Sequence, residues 1–328
     1  MNHQQEDYSN LGIRPYNKGL IEIGKNIYAY LQPDGGWGWS NAGLICDGEE
    51  SLIVDTLFDE NLTMEMLSFM KKAEPEALKN TVALINSHSN GDHCNGNSCI
   101  KTDVIISSEA SLEEMKHESP EMMASLLLQA PSLGKLGEYF IRCFGKFDFQ
   151  GVTRKLPNET FTKETTKKVG DKIVELYEVG PAHTNGDIIA YVPKDKVVFT
   201  GDILFIEGHP IIWAGPVRNW IEACNKIISL DVEFVVPGHG PITDKKGVNA
   251  VKDYLIYLHD EAKLRFDDGM EPMEACRDID MRPFSSWGDA ERIAVNVNSL
   301  YREFKGEQVR EDVVLLFTQM SELLEDAD

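Results

Sequence analysis

Ser87-His88-Ser89-Asn90-Gly91-Asp92-His93 follows directly on Thr81-Val82-Ala83-Leu84-Ile85-Asn86. Four of the earlier six, Val82 to Ile85, are apolar and partly β-branched, and the stretch reads as a buried strand. The seven that follow carry two imidazoles and a carboxylate, His88, Asp92 and His93, in a polar loop at the end of that strand. A rigid strand presenting a polar loop is how a scaffold holds ligating or catalytic side chains in place.

The same arrangement recurs downstream. A strand over residues 173–179 is followed by His183, one over 197–200 by Gly201-Asp202, and one over 234–236 by Pro237-Gly238-His239. Transition metals at neutral pH take imidazole nitrogen and carboxylate oxygen, and a catalytic site keeps a coordination position for water. Four of the eight histidines, His88, His93, His183 and His239, fall at such strand ends. One His-Asp-His loop is an ordinary accident of composition; three further strand ends carrying such residues are much harder to attribute to chance.

Ile53-Val54-Asp55-Thr56, His88-x-Asn90-x-Asp92-His93, Ala182-His183-Thr184-x-x-Asp187, Phe199-Thr200-Gly201-Asp202 and Pro237-Gly238-His239-Gly240 together resemble, in order, the five signature motifs of the metallo-β-lactamase superfamily. The resemblance implies an α/β fold, a four-layer αβ/βα sandwich in which two mixed sheets pack face to face with helices outside and a metal site at one edge. It implies a first metal position built on His88 and His183, a second on Asp92, His93 and His239, and Asp202 bridging them. Asp92, His93 and Asp202 are the expected catalytic set, with Asp92 a ligand or a proton donor to the leaving group. Asp55 and Asp187 are expected to orient ligating imidazoles through their far nitrogens, although Asp55 reads equally well as a residue fixing a turn. Asn90 departs from the family pattern, H-x-H-x-D-H, and an amide oxygen is a weaker zinc ligand than imidazole. Three consequences follow as alternatives: a weakly held first ion, a single ion in the second position, or a preference for iron or manganese over Zn2+.

What such a centre implies is hydrolysis by a metal-activated water, since coordination lowers the pKa of water from 15.7 to about 7. The expected substrate is a small molecule with an ester, thioester, lactone or amide bond. A mononuclear non-haem iron dioxygenase acting on a small thiol or persulfide is the alternative from another class, and a catalytically silent metal-binding homologue is the third.

Composition narrows the partners. The chain has 328 residues, 42% of them hydrophobic, enough for a large core. With 54 acidic against 32 basic residues and a net charge of −22, it lacks the cationic surface that displaces counterions from nucleic acid or binds anionic membrane. No apolar run is long enough to span a bilayer, and residues 1–16 lack the pattern of a secretory signal. The six cysteines have no tight pairing pattern, so reduced thiols in a cytoplasmic protein are expected. A homo-oligomer is left open.

Along the chain, residues 20–31 read as a strand pair, Gly35-Gly36 as a turn, 42–46 and 51–55 as a hairpin, and 60–72 as a helix capped by Asp59. Residues 108–150 read as a helical insertion, either an ordinary packing layer or a Met-rich wall over the substrate. Residues 188–192 read as a further strand. The catalytic domain is expected over 1–245. A helical appendage is expected over 246–328, with helices at 250–263, 290–304 and 311–324. His209 is read as an ordinary loop histidine, with lining of the substrate groove as the alternative, and His3, His117 and His259 as bystanders. Trp37, Trp39, Trp213 and Trp220 are candidates for stacking on substrate, with core packing expected for at least two.

Overall fold

The computed structural model describes residues 11–117, 119–307 and 312–326; His3 and residue 311 of the last expected helix lie outside the described residues. The first sheet runs β1 (Gly19–Gly24), β2 (Ile27–Leu31), β3 (Ala42–Asp47), β4 (Glu50–Val54), β5 (Thr81–Ile85), β6 (Ile105–Ser108) and β7 (Glu159–Phe161), each beside the next. Pairing is antiparallel from β1 to β4 and parallel from β4 to β7. The second sheet has the order β12-β11-β10-β9-β8, formed by β8 (Glu164–Val169), β9 (Lys172–Glu178), β10 (Ile188–Val192), β11 (Val197–Phe199) and β12 (Phe234–Val236). Only β11 and β12 are parallel in it.

The period-2 alternation of strand side chains decides the layering. Ile45, Leu52, Val54 and Ile85 of the first sheet meet Leu176, Ile188, Ala190, Val192 and Phe199 of the second in one buried cluster between the sheets. The residues between them face outward. Leu44, Cys46, Ile53 and Leu84 pack with Met66 and Met70 of α1 (Glu60–Ala73). Ile189, Tyr191 and Val198 pack with the helices on the other side. The expected four-layer sandwich is therefore the observed fold. Asp59 caps α1 as the sequence suggests, its Oδ1 accepting the Leu62 N–H at 2.7 Å.

The insertion forms α3 (Glu109–Met115), α4 (Pro120–Gln129) and α5 (Gly134–Phe144), after the four-residue α2 (Gly91–Cys94). The later helices are α6 (Val217–Ser229), α7 (Lys245–Asp267), α8 (Pro272–Asp278), α9 (Ile293–Lys305) and α10 (Val313–Asp326). Trp220 of α6, Tyr254 of α7, Val297 of α9, Phe317 of α10 and Phe144 of α5 belong to one apolar cluster, so insertion and C-terminal helices share a wall. Among the described residues no helix is long and apolar enough to cross a membrane, and none of the six cysteines is in a disulfide.

His209, read as an ordinary loop histidine or one lining the groove, is instead fully buried in the core. Its ring nitrogens face Tyr254 Oη and the Phe284 carbonyl, each at 3.3 Å, because residues 205–212 are covered by α7 and α9. Burial lowers its pKa to about 4, with Arg292 adding to the effect against the Phe284 carbonyl. The unfolded imidazole titrates near 6.5, so the stability tied to neutral His209 is complete above that value and is lost as the pH falls toward 4. The wild type should lose about 1.4 kcal/mol per pH unit to this one proton across that window. His209→Gln should remove that part of the slope, read as the difference between the two proteins' urea unfolding curves at pH 7, 5.5 and 4.5.

Candidate metal centre

The expected ligands sit where strands of both sheets end. β4 and β5 are parallel neighbours, as are β11 and β12, so Asp55, the His88–His93 loop, Asp202 and His239 all leave carboxyl ends of strands, the usual location of sites in such sheets. His183 arrives on the connection from β9 to β10. Close approach of these loops requires glycine: a β-carbon on Gly238 would overlap Asp202 Oδ1, and one on Gly201, at φ +50°, would press on Ser87.

The seven predicted residues converge. Asp202 Oδ2 lies 3.3 Å from His183 Nε2, 3.4 Å from His239 Nε2 and 3.7 Å from His88 Nε2, while Oδ1 lies 3.0 Å from His93 Nε2. Asp92 Oδ2 is 3.2 Å from His239 Nε2 and 3.8 Å from His93 Nε2. The Asn90 amide, with Oδ1 inward, is 2.7 Å from His183 Nε2 and 3.2 Å from His88 Nε2. Two triads, His88 with His93 and Asp202, and Asp92 with His93 and His239, each hold their ligand atoms within 4.8 Å of one another.

The carboxylate–imidazole spacings fit a shared cation. Two ligands at roughly 2.0–2.1 Å from a tetrahedral ion stand about 3.3 Å apart. Moreover, His93 Nε2 and Asp202 Oδ1 are buried without a hydrogen-bond partner among the described residues, although they face one another at 3.0 Å. Unpaired polar atoms at such depth are costly unless an ion satisfies them.

The far nitrogen of each imidazole is pinned. His93 Nδ1 bonds Asp55 Oδ2 at 2.9 Å, His183 Nδ1 the Ile211 carbonyl at 2.7 Å, His239 Nδ1 the Gly35 carbonyl at 3.1 Å and His88 Nδ1 the Ser87 hydroxyl at 2.9 Å. Asp55, in the left-handed region at φ 62°, also accepts the Ser87 N–H and hydroxyl at 2.6 and 2.7 Å. Every Nε2 thus points inward. Burial opposes ionisation of Asp92 and Asp202, yet His93 and His239 outweigh it and hold both carboxyls below the ordinary range. The same pairing works on the imidazoles. Burial depresses His183 to about 4 and holds His88 low, whereas Asp202 and Asp92 overcome burial to lift His93 and bring His239 to about 9.

Beside the centre opens a cleft of about 250 Å³, with Trp37, Phe58, Phe144, Trp213 and Phe317 among its walls. Phe205 stacks on His239 with centroids 5.0 Å apart, and the Arg292 guanidinium lies 5.2 Å from the Phe205 ring and 4.5 Å from that of Trp37. Glu114 borders the cleft and accepts from Ser89 Oγ at 3.0 Å and Asn185 N at 3.1 Å. Sequence reading missed Arg292, Glu114, Phe205 and Phe317; a charged residue immediately before the apolar face of α9 was the one available signal, for Arg292. Asp187, expected behind an imidazole, instead accepts the Thr184 N–H and hydroxyl, and burial lifts it to about 8. It shapes the His183 loop without touching the ring. Trp37 and Trp213 border the cleft, whereas Trp220 is core, donating to the Ile203 carbonyl at 2.9 Å. Trp39 packs on Phe147. His117 is exposed, and His259 is half-buried beside Asp260 and the Phe304 ring.

The profile of the metallo-β-lactamase superfamily matches residues 35–239, and the chain belongs to that superfamily. The superfamily includes hydrolases. The chain is 21% identical over 216 residues to the beta-lactamase-like protein 2 homolog of Caenorhabditis elegans, an alignment covering 66% of this chain and 60% of that relative. It is 29% identical over 120 residues to the hydroxyacylglutathione hydrolase of Brucella anthropi, covering 34% of this chain and 45% of the relative. In fold it is similar to the sec-alkylsulfatase Pisa1 from Pseudomonas sp., with a TM-score of 0.66 at 17% identity over 88% of this chain and 50% of that one. The chain therefore spans less than two thirds of each of these relatives.

Asp55 is joined to His93, Ser87 and, through Ser87, His88. Asp55→Asn keeps the shape and tolerates the left-handed backbone but removes the charge behind His93. Metal affinity should drop 10- to 100-fold, measured by competition with a chromogenic chelator, with the circular dichroism spectrum unchanged.

Proposed function

We propose that this protein is a metal-dependent hydrolase of a small ester, thioester, lactone or amide substrate. The observation that carries the reading is the convergence of four imidazole Nε2 atoms and two carboxylates on one buried point at the floor of an aromatic cleft. His88, Asp92, His93, His183, Asp202 and His239 hold one or two ions, Zn2+ first among the candidates, with Asn90 beside the first position. A cation there supplies an activated water at neutral pH and a Lewis acid for the substrate oxygen.

The chain's own groups do the rest. Asp202 sits between the two positions, and Asp92, bordering the cleft, is placed to hand a proton to a leaving group. Trp37, Phe144, Trp213 and Phe317 hold the apolar part of the substrate and exclude water, which strengthens electrostatic interactions at the reacting atoms. The surplus of acidic residues favours a small-molecule substrate over nucleic acid or an anionic membrane, and six cysteines outside any disulfide suit a reducing, cytoplasmic setting. A second reading, an iron dioxygenase acting on a small thiol or persulfide, draws on the amide at Asn90, because iron tolerates oxygen-rich ligand sets.

Protein purified without added metal should carry zinc and turn over at least one class in a panel of aryl esters, thioesters and lactones. Chelation should abolish turnover and zinc restore it. Asp202→Ala and His93→Ala should each lower kcat/KM by more than about 100-fold together with metal content. Full metal content and activity in both variants would sink the assignment, and stoichiometric iron with oxygen uptake on a persulfide would favour the dioxygenase.

A further inference from the structure

Asn90 does more than weaken the first metal position. A neutral imidazole carries one N–H. His183 Nδ1 faces the Ile211 carbonyl at 2.7 Å, an acceptor only, so the proton of that ring is on Nδ1. The Ser87 hydroxyl lies 2.7 Å from Asp55 Oδ2 and 2.9 Å from His88 Nδ1. It gives its single proton to the carboxylate, so its oxygen accepts from His88 Nδ1. Both rings therefore turn an Nε2 lone pair toward the Asn90 amide, at 2.7 and 3.2 Å.

An amide oxygen there would oppose two lone pairs. The two ends of an amide are assigned from their partners, and a half-turn puts Nδ2, with its two N–H groups, at the same point facing two acceptors. At His183 a shared ion fits less well, since ligands of one tetrahedral zinc stand about 3.3 Å apart and 2.7 Å is an ordinary hydrogen-bond distance, whereas the 3.2 Å at His88 suits either.

We infer that the Asn90 NH2 occupies the first metal position, donating to Nε2 of His88 and of His183, and that the centre holds a single cation among Asp92, His93, His239 and Asp202. This rests on reading the site as a metal centre of hydrolytic type. The His88–Asn90–His183 trio then acts as a preorganised, uncharged flank of the single ion.

The test is metal stoichiometry by plasma mass spectrometry after equilibration with zinc and dialysis. Wild type should retain one equivalent per chain. Asn90→Asp, nearly isosteric, replaces the NH2 with a charged oxygen and should admit a second equivalent, as should Asn90→His. His183→Gln should keep the single equivalent, and His239→Gln should lose it. Two equivalents in the wild type, or loss of the single equivalent in His183→Gln, would overturn the inference. Two equivalents with hydrolysis would do so while leaving the hydrolase reading intact. One equivalent with the expected variant pattern but no hydrolysis would support it and count against that reading.

Discussion

Two carboxylates, Asp92 and Asp202, are buried at the meeting point of loops from both sheets, and the cost of desolvating them governs the rest of the structure. An unpaired buried carboxylate costs several kcal/mol, and here the compensation comes from four imidazoles delivered by three separate segments, the His88–His93 loop and those carrying His183 and His239. None of those segments has a reason of its own to approach the others. Gly201 and Gly238 allow the approach, Asp55 ties the His88–His93 loop to the end of β4, and backbone carbonyls of Gly35 and Ile211 fix the last two rings. The chain thus spends hydrogen bonds from outside the site to keep every Nε2 directed inward.

Much of this was legible before any coordinates. Strands β3, β4, β5, β10 and β12 declare themselves by short apolar runs between turn residues, and each polar ligand follows such a run or its glycine. The ligands are legible for the same reason: a His or Asp just past a buried strand has little structural purpose. Where the pattern was absent, so was the reading. β8 is Glu-Thr-Thr-Lys-Lys-Val at the edge of its sheet, largely solvent-facing, and has no apolar alternation to notice. β6 and β7 are three or four residues long. α6 escaped notice although Val217, Trp220, Ala223, Cys224 and Ile227 are buried along one face.

The errors are instructive in the same way. Asp187 follows His183 by four residues, as a residue behind an imidazole might, but a carboxylate in a tight loop finds the nearest N–H and hydroxyl first, those of Thr184. His209 lies seven residues after Asp202, yet the chain turns beneath α7 and α9 and takes the ring into the core. Proximity in sequence does not predict which side of a loop meets the solvent. Nor could Arg292 and Phe317 be assigned, since they reach the cleft from helices at the opposite end of the chain.

That last arrangement has an evolutionary reach. The stretch shared with the superfamily ends at residue 239, and it contains every ligand, whereas Arg292, Val313 and Phe317 on the cleft wall lie beyond it. The shared stretch therefore carries all the ligands and much of the cleft wall, and the terminal helices complete that wall. Substitutions at Val313 or Phe317 would reshape the cleft without touching a ligand, so for a hydrolase of the kind proposed two proteins alike through residue 239 need not share a substrate.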